Sequence, residues 1–282
     1  MEASDAHIHV QPWWQLRPGM LEAIAGGRDD IDELQQIMKS PARLLRRLDA
    51  DGLARALLVN YPSQDLFGFD HTVNDYVAGY CGEAPDRLIP MGGVHPRFAE
   101  DAAAEVRRAA ELGVRALKVH PPHMKVAPNA YLDGLDALAA IYEEAQRLRL
   151  PVMIHTGTSI FPGARSRHGE QIAVDDVAVD FPDLTLILAH GGRPLWMDQA
   201  FFLVRRFPNV YMDVSSIPPK AVLRYFPRLA EVSHKVLYGS DWPSPGVRSM
   251  AKNLSDFRAL DLPPEALARI LHGNLERLLP AA

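Results

Sequence analysis

The side chains with the most chemical potential in this sequence sit at the ends of short apolar runs. His7 and His9 belong to the first run, DAHIHV at 5–10. In an extended segment alternate side chains share a face, so both imidazoles point into one space while Ala6, Ile8 and Val10 point to the other side. Such a pair could decorate an exposed edge, hydrogen-bond to backbone, or supply two neutral nitrogen ligands to one metal ion. Later runs end in Asn60, in His95, in Lys118 and His120, in His155, in His190, in Asp213 and Ser215, and in Asp241. One polar strand end is routine, whereas histidines and acids recurring at corresponding positions point to a site. A catalytic metal takes three or four protein groups and keeps a position open for water or substrate. His7, His9, His155 and Asp241 would supply three imidazoles and a carboxylate, with His190 beside the ion as candidate acid or base.

These residues need elements that bring them together. Eight apolar, β-branched runs recur along the chain, at 5–10, 55–62, 88–96, 114–122, 151–159, 184–192, 209–216 and 235–243. Each is nearly continuous in apolar character, as strands buried on both faces of a parallel sheet require. Helical segments lie between them. In 132–150, Leu135, Leu138, Tyr142, Ala145 and Leu148 form one stripe. In 99–113, acidic residues lead, basic ones follow and Gly113 stands at the C′ position. In 40–52, Ser40 is the expected N-cap and Pro41 the first helical residue. Eight strands alternating with helices predict a single α/β domain over residues 1–282, a (β/α)8 TIM barrel. A doubly wound open sheet is the alternative, but no G-x-G-x-x-G turn follows any strand. In a barrel the first and eighth strands are neighbours and the fifth lies across, so the four ligand candidates converge on the axis at the C-terminal mouth, where such barrels place their chemistry. The long segment between the first strand and the first barrel helix predicts an insertion over that mouth, with Trp13 and Trp14 either facing substrate or packing the insertion down.

Composition sets the outer bounds. Hydrophobic residues make up 48% and charged ones 23% of 282 residues, ordinary for a chain with a sizeable core. The 30 Lys and Arg are dispersed among 35 Asp and Glu for a net charge of −5, which argues against nucleic acid as a partner. The single cysteine, Cys81, rules out an intrachain disulfide framework and suggests a reducing compartment. No leader pattern or run of ~18 to 20 apolar residues is evident, so the expected setting is cytoplasmic, away from membrane.

The motifs DAHIHV, GGVHP, ALKVHPP, PVMIHTG, LILAHGG, YGSDWP and the closing HGNLERLL together resemble the amidohydrolase superfamily, in its amidohydrolase 2 branch. That branch includes aminocarboxymuconate-semialdehyde decarboxylase, γ-resorcylate decarboxylase and 2-pyrone-4,6-dicarboxylate lactonase. The resemblance spans nearly the whole chain. It implies that His7, His9 and His155 are metal ligands, that His190 contacts water or substrate, and that Asp241 is the carboxylate of the last strand. It also implies one divalent metal, Zn2+ first and Mn2+ as the alternative.

On this reading the ion would lower the pKa of a bound water towards ~7, Asp241 would accept the proton, and His190 would stabilise the developing charge. The bond cut would be an ester, lactone or amide of a small-molecule substrate. The rival is non-oxidative decarboxylation by the same metal frame; the intact His-x-His fits lactonase and semialdehyde decarboxylase alike, while the γ-resorcylate type begins with Glu. Lys118 stands near the level at which two-metal relatives carry a carboxylated lysine. In a mononuclear site it would be held by a carboxylate or reach substrate. A metal-dependent nuclease is a remote third reading, because this chain has Lys118 where that group carries a glutamate. Arg193, with Arg97, Arg165 and Arg167, lies in the predicted strand-to-helix loops, where guanidinium groups grip carboxylates. Lys118, Arg193 and Trp13 are therefore the candidate substrate-binding residues, and Asp213 and Ser215 the candidate supports. The apolar FFLVRRFP segment at 201–208 could pack a homo-oligomer interface or the barrel itself.

Overall fold

Every apolar run holds a strand in the computed structural model, which describes residues 1–25 and 27–281. The strands are β1 (Ser4–Ile8), β2 (Arg55–Val59), β3 (Leu88–Gly92), β4 (Ala116–Val119), β5 (Val152–His155), β6 (Leu186–Ala189), β7 (Val210–Asp213) and β8 (Val236–Leu237). They form one parallel sheet in sequence order. Each is shorter than its run, because the end of the run leaves the sheet and carries polar side chains into the following loop. The strand residues are buried, with Tyr211 on β7 partly exposed, as the continuous apolar runs require.

The sheet closes through the segment after β8. Ala6 N–H donates to Tyr238 O at 2.8 Å, Asp241 N–H to His7 O at 2.8 Å and His9 N–H to Trp242 O at 2.7 Å. This is the (β/α)8 barrel expected from the sequence. The β1–β2 register slips between Asp5 and Ile8, a bulge that bends β1 beside His7. Gly239 allows the seam to close: a Cβ there would lie 2.8 Å from His7 Cβ and 3.1 Å from Ser215 Cβ.

The helices follow the sequence signals with local differences. Asp101 caps the helix Ala102–Glu111 by accepting from Ala104 N–H, and Gly113 adopts φ +99° just beyond it. Pro41 opens the helix Pro41–Asp51, but the Ser40 side chain makes no capping bond. The helix predicted over 132–150 is shorter, because Ala130–Asp133 forms a 3-10 turn that ends at Gly134 (φ +89°) and the α-helix spans Asp136–Arg147. Between β1 and β2 come a 3-10 turn, Trp13–Gln15, and short helices Met20–Ala25 and Ile31–Ile37. The two tryptophans part ways there: Trp13 is buried, whereas Trp14 is 56% exposed and packs edge-on against Tyr76 at 5.5 Å. In Met197–Arg206, Leu203 and Val204 are buried and Phe202 is exposed. Cys81 is buried, and burial pushes its thiol pKa up. Among the described residues no helix is long and apolar enough to cross a membrane.

A Gly239→Ala substitution is expected to destabilise the protein by about 1–3 kcal/mol through overpacking against His7, read as a lower urea midpoint with an unchanged slope. An unchanged midpoint would show that the seam has room to spare.

Candidate metal centre

The closing seam brings the first and last parts of the site together. His7 lies on β1, His9 one residue beyond it, and Asp241 on the segment that hydrogen-bonds back to both. His7 Nε2 stands 3.7 Å and His9 Nε2 3.1 Å from Asp241 Oδ1. His190, just after β6, has its ring 4.7 Å from that of His7. Ligand atoms of His7, His190 and Asp241 all lie within 4.8 Å of one another. His190 is thus as near the common point as the expected ligands. His155 at the end of β5 is one ring further out, 4.7 Å from His190 and stacked on His120 at 3.8 Å.

The protons on these rings can be assigned from their outer partners. His7 Nδ1 meets Asp213 Oδ2 at 2.8 Å and His9 Nδ1 meets the Val59 carbonyl at 3.1 Å. Both partners only accept, so both Nδ1 atoms carry the hydrogen. Ser215 Oγ donates to Asp213 Oδ1 and therefore accepts from His190 Nδ1–H at 2.8 Å. Three imidazoles consequently turn Nε2 lone pairs inward, and His7 Nε2 has no hydrogen-bond partner among the described residues. Lone pairs of His7 and His9 face a carboxylate oxygen, an arrangement that is repulsive until a cation lies between them. The donor set thus fits a divalent metal, with each imidazole fixed by a group behind it.

Asp213 organises this shell. Besides His7 and Ser215 Oγ, it accepts the backbone N–H of His190 at 2.9 Å and of Ser215 at 3.0 Å. Burial pushes its carboxyl up, but His7, Lys118 and Ser215 together hold it below the ordinary range. Asp213 and Ser215 thus occupy the supporting positions expected of them. Burial also opposes ionisation of Asp241, whose pKa nevertheless lies well below the usual value. Its Oδ2 accepts from Ser216 Oγ at 2.6 Å, and Ser216 Oγ accepts from Arg193 at 2.9 Å. His190, Ser216 and Asp241 all have positive φ, at +66°, +59° and +68°. Such backbones cost about 1–3 kcal/mol each and persist where surrounding contacts over-determine them.

A cavity of about 190 Å³ opens onto His9, His155, His190 and Asp241, and Lys118 and Arg193 also line it. Lys118 Nζ is fully buried and has no hydrogen-bond partner among the described residues. The alternative of a carboxylate-held lysine therefore gives way to an amine facing the cavity. Burial pulls its pKa down to about 8, which leaves it mostly charged at neutral pH. Arg97, Arg165 and Arg167 are exposed, so among the four loop arginines Arg193 reaches the cavity. Trp13 lines an adjoining recess. Tyr61, His120 and His123 are wall residues to which sequence reading gave no chemistry. Tyr61 directly follows Asn60, and both histidines fall at or just past the end of the fourth run, so position relative to the strand end was the available signal. His95 is buried and accepts from Arg97 N–H instead.

A family model described as Amidohydrolase matches residues 4–281. The chain belongs to this family. The amidohydrolase barrel is similar to a TIM-barrel protein from Bordetella bronchiseptica, at 21% identity and TM-score 0.78 over 99% of this chain and 98% of that one. It is also similar to 5-carboxyvanillate decarboxylase from Novosphingobium aromaticivorans with bound manganese, at 19% identity and TM-score 0.68 over 98% and 95%. A third likeness is 4-oxalomesaconate hydratase from Rhodopseudomonas palustris, at 18% identity and TM-score 0.66 over 99% and 96%. No curated protein matches this amidohydrolase by sequence.

Six buried histidines, His7, His95, His120, His123, His155 and His190, have pKa values lowered, by burial first of all. The unfolded chain regains values near 6.5 and binds more protons below that pH, so stability falls as pH falls through 6.5. Asp5 acts in the opposite sense, since burial pushes its carboxyl up to about 7 and the folded state takes that proton first. Metal-free protein is expected to lose roughly 3–5 kcal/mol of unfolding free energy between pH 7.5 and 5.5, at up to ~1.4 kcal/mol per histidine per pH unit. A flat urea-stability profile would show that the rings are not held neutral.

Proposed function

We propose that this amidohydrolase is a mononuclear metal-dependent hydrolase acting on an ester, lactone or amide of a small carboxylate-bearing compound. The observation that carries the proposal is the convergence of His7 Nε2 and His9 Nε2 on Asp241 Oδ1 with both Nδ1 protons committed elsewhere. His7, His9, His155 and Asp241 would hold the cation, Zn2+ by preference for an imidazole-rich set and Mn2+ as the alternative. When bound, it supplies Lewis acidity that polarises a substrate oxygen and acidifies water.

The protein's own groups do the rest. Asp241 accepts the proton of the attacking water at Oδ1, while Ser216 Oγ–H keeps Oδ2 occupied. His190, its Nδ1–H anchored on Ser215, presents Nε2 as an acceptor that steers the attacking water, and the proton taken by Asp241 passes on to the leaving group. Arg193 and Lys118 bind the substrate carboxylate, each with a buried donor nitrogen lacking a partner among the described residues. Trp13 supplies apolar wall. A second reading, loss of CO2 with proton return to carbon, is favoured by one observation: Lys118 places a buried, mostly protonated amine in the cavity.

Metal analysis by plasma mass spectrometry tests the site first. About one equivalent of zinc or manganese is expected, and its loss in His7→Ala and Asp241→Asn. Absence of metal even after supplementation would remove the proposal. Asp213→Asn is expected to weaken metal affinity by about 10–100-fold, measured by chelator competition. Parallel screens of lactones, esters and aromatic acids, followed by proton release and by CO2 release, separate the two reactions. On the substrate found, Arg193→Ala is expected to raise KM by about tenfold or more with metal content unchanged. An unchanged KM would take Arg193 out of substrate binding.

A further inference from the structure

The cavity at the candidate metal centre has a second compartment. Behind Tyr61 and His9 lies a recess of about 40 Å³, backed by Trp13, Ile24 and Phe67. The two compartments share His9, Tyr61, Phe161, Ser244 and Pro245 along their common wall. Trp13, Ile24, Tyr61 and Phe67 are all buried. Phe67 meets Phe161 edge to face at 5.0 Å and His123 at 5.1 Å, which fixes its ring.

The polar side-chain atoms of Tyr61 and His9 on the shared wall are engaged elsewhere. The Tyr61 hydroxyl is hydrogen-bonded to His123 Nδ1 at 3.0 Å. His9 directs Nδ1–H to Val59 O and Nε2 to Asp241. At ~10–15 Å³ per water the recess has room for about three, and each would need two to four polar partners. The Gln11 and Ser244 side chains and the Trp13 indole N–H are the polar side-chain groups left on its lining. Water is therefore held poorly there, and an apolar group that displaces it gains affinity.

The main compartment has the opposite character. Arg193 and Lys118 line it but do not line the recess. Its wall also includes the rings of His120 and His155, stacked on each other 3.8 Å apart.

We infer that the recess is a specificity subsite for a small apolar substituent, one to three carbons in size, on an acid whose carboxylate reaches Arg193 and Lys118. The inference rests on the acid-directed reading given under Proposed function and narrows its substrate class to an amphiphilic acid. Wall residues Trp13, Ile24 and Phe67 are then specificity determinants that touch the substituent and leave the reacting atoms to the metal centre.

Isothermal titration of the zinc-loaded full chain with benzoate and its 2-, 3- and 4-methyl, ethyl and propyl derivatives tests this. One ring position is expected to bind about fourfold tighter for each carbon added, the gain for one buried CH2. In Ile24→Phe, which fills the recess, that series is expected to flatten to within about twofold. In Trp13→Ala, which enlarges it, preference is expected to move to the propyl derivative. Near-UV circular dichroism checks that each variant is folded, and the wild-type series stands without them. Benzoate binding with no gain at any ring position would overturn the subsite and leave the acid-directed reading intact. No binding by any member would overturn that reading and this inference with it.

Discussion

The seam at which the segment after β8 hydrogen-bonds back to β1 is the constraint on which the rest of the site depends. The N–H of Asp241 donates to the carbonyl of His7, and the N–H of His9 donates to the carbonyl of Trp242. Each bond that closes the barrel therefore also fixes the spacing between an imidazole and the carboxylate it faces. A one-residue slip would turn every side chain on that strand to the other face. Gly239 permits the close approach and the bulge beside His7 bends the strand into it. Fold and centre are determined together at this seam.

Asp213 extends that control outward from the seam. It is buried and accepts four hydrogen bonds, from His7, from the backbone of His190 and from Ser215 twice. A buried carboxylate is costly unless it is satisfied in this way. Once satisfied, it sets the tautomer of His7 directly and that of His190 through Ser215. The Val59 carbonyl does the same for His9. The inward lone pairs are thus a consequence of hydrogen bonds made on the far side of each ring. Ser216 and Arg193 form a corresponding chain behind Asp241. Three positive-φ residues in this small region indicate that packing imposes backbone shapes which local preference alone would not choose.

The eight strands were legible because double-sided burial leaves a continuous apolar run, and the polar residue ending each run marked the mouth. His7, His9, His190 and Asp241 were legible for the same reason. The bulge in β1 was not, since Ala6 and His7 carry no composition that distinguishes it. The separation of Trp13 from Trp14 depends on tertiary packing, which residue type does not encode. The Arg193–Ser216–Asp241 chain joins loops after β6, β7 and β8 and has no local signature. The expected helix of 132–150 is too long because Leu132 and Asp133 belong to a 3-10 turn that Gly134 ends, ahead of the apolar stripe that starts at Leu135. Lys118 was placed at the right level, but its lack of a partner emerges only from the packed barrel.

The seam also has a consequence in time. The carboxylate of Asp5 accepts from the N–H of Ser240 across 235 residues of chain, and His7 and Asp241 are separated on a similar scale. At about 5–20 residues per second of synthesis, roughly 10–50 s pass between the emergence of the two halves of the centre. Through that interval the early histidines are made but their carboxylate is not. The centre can therefore assemble only once Asp241 has been made, so a product stalled before that residue carries imidazoles without the geometry that would let them act together.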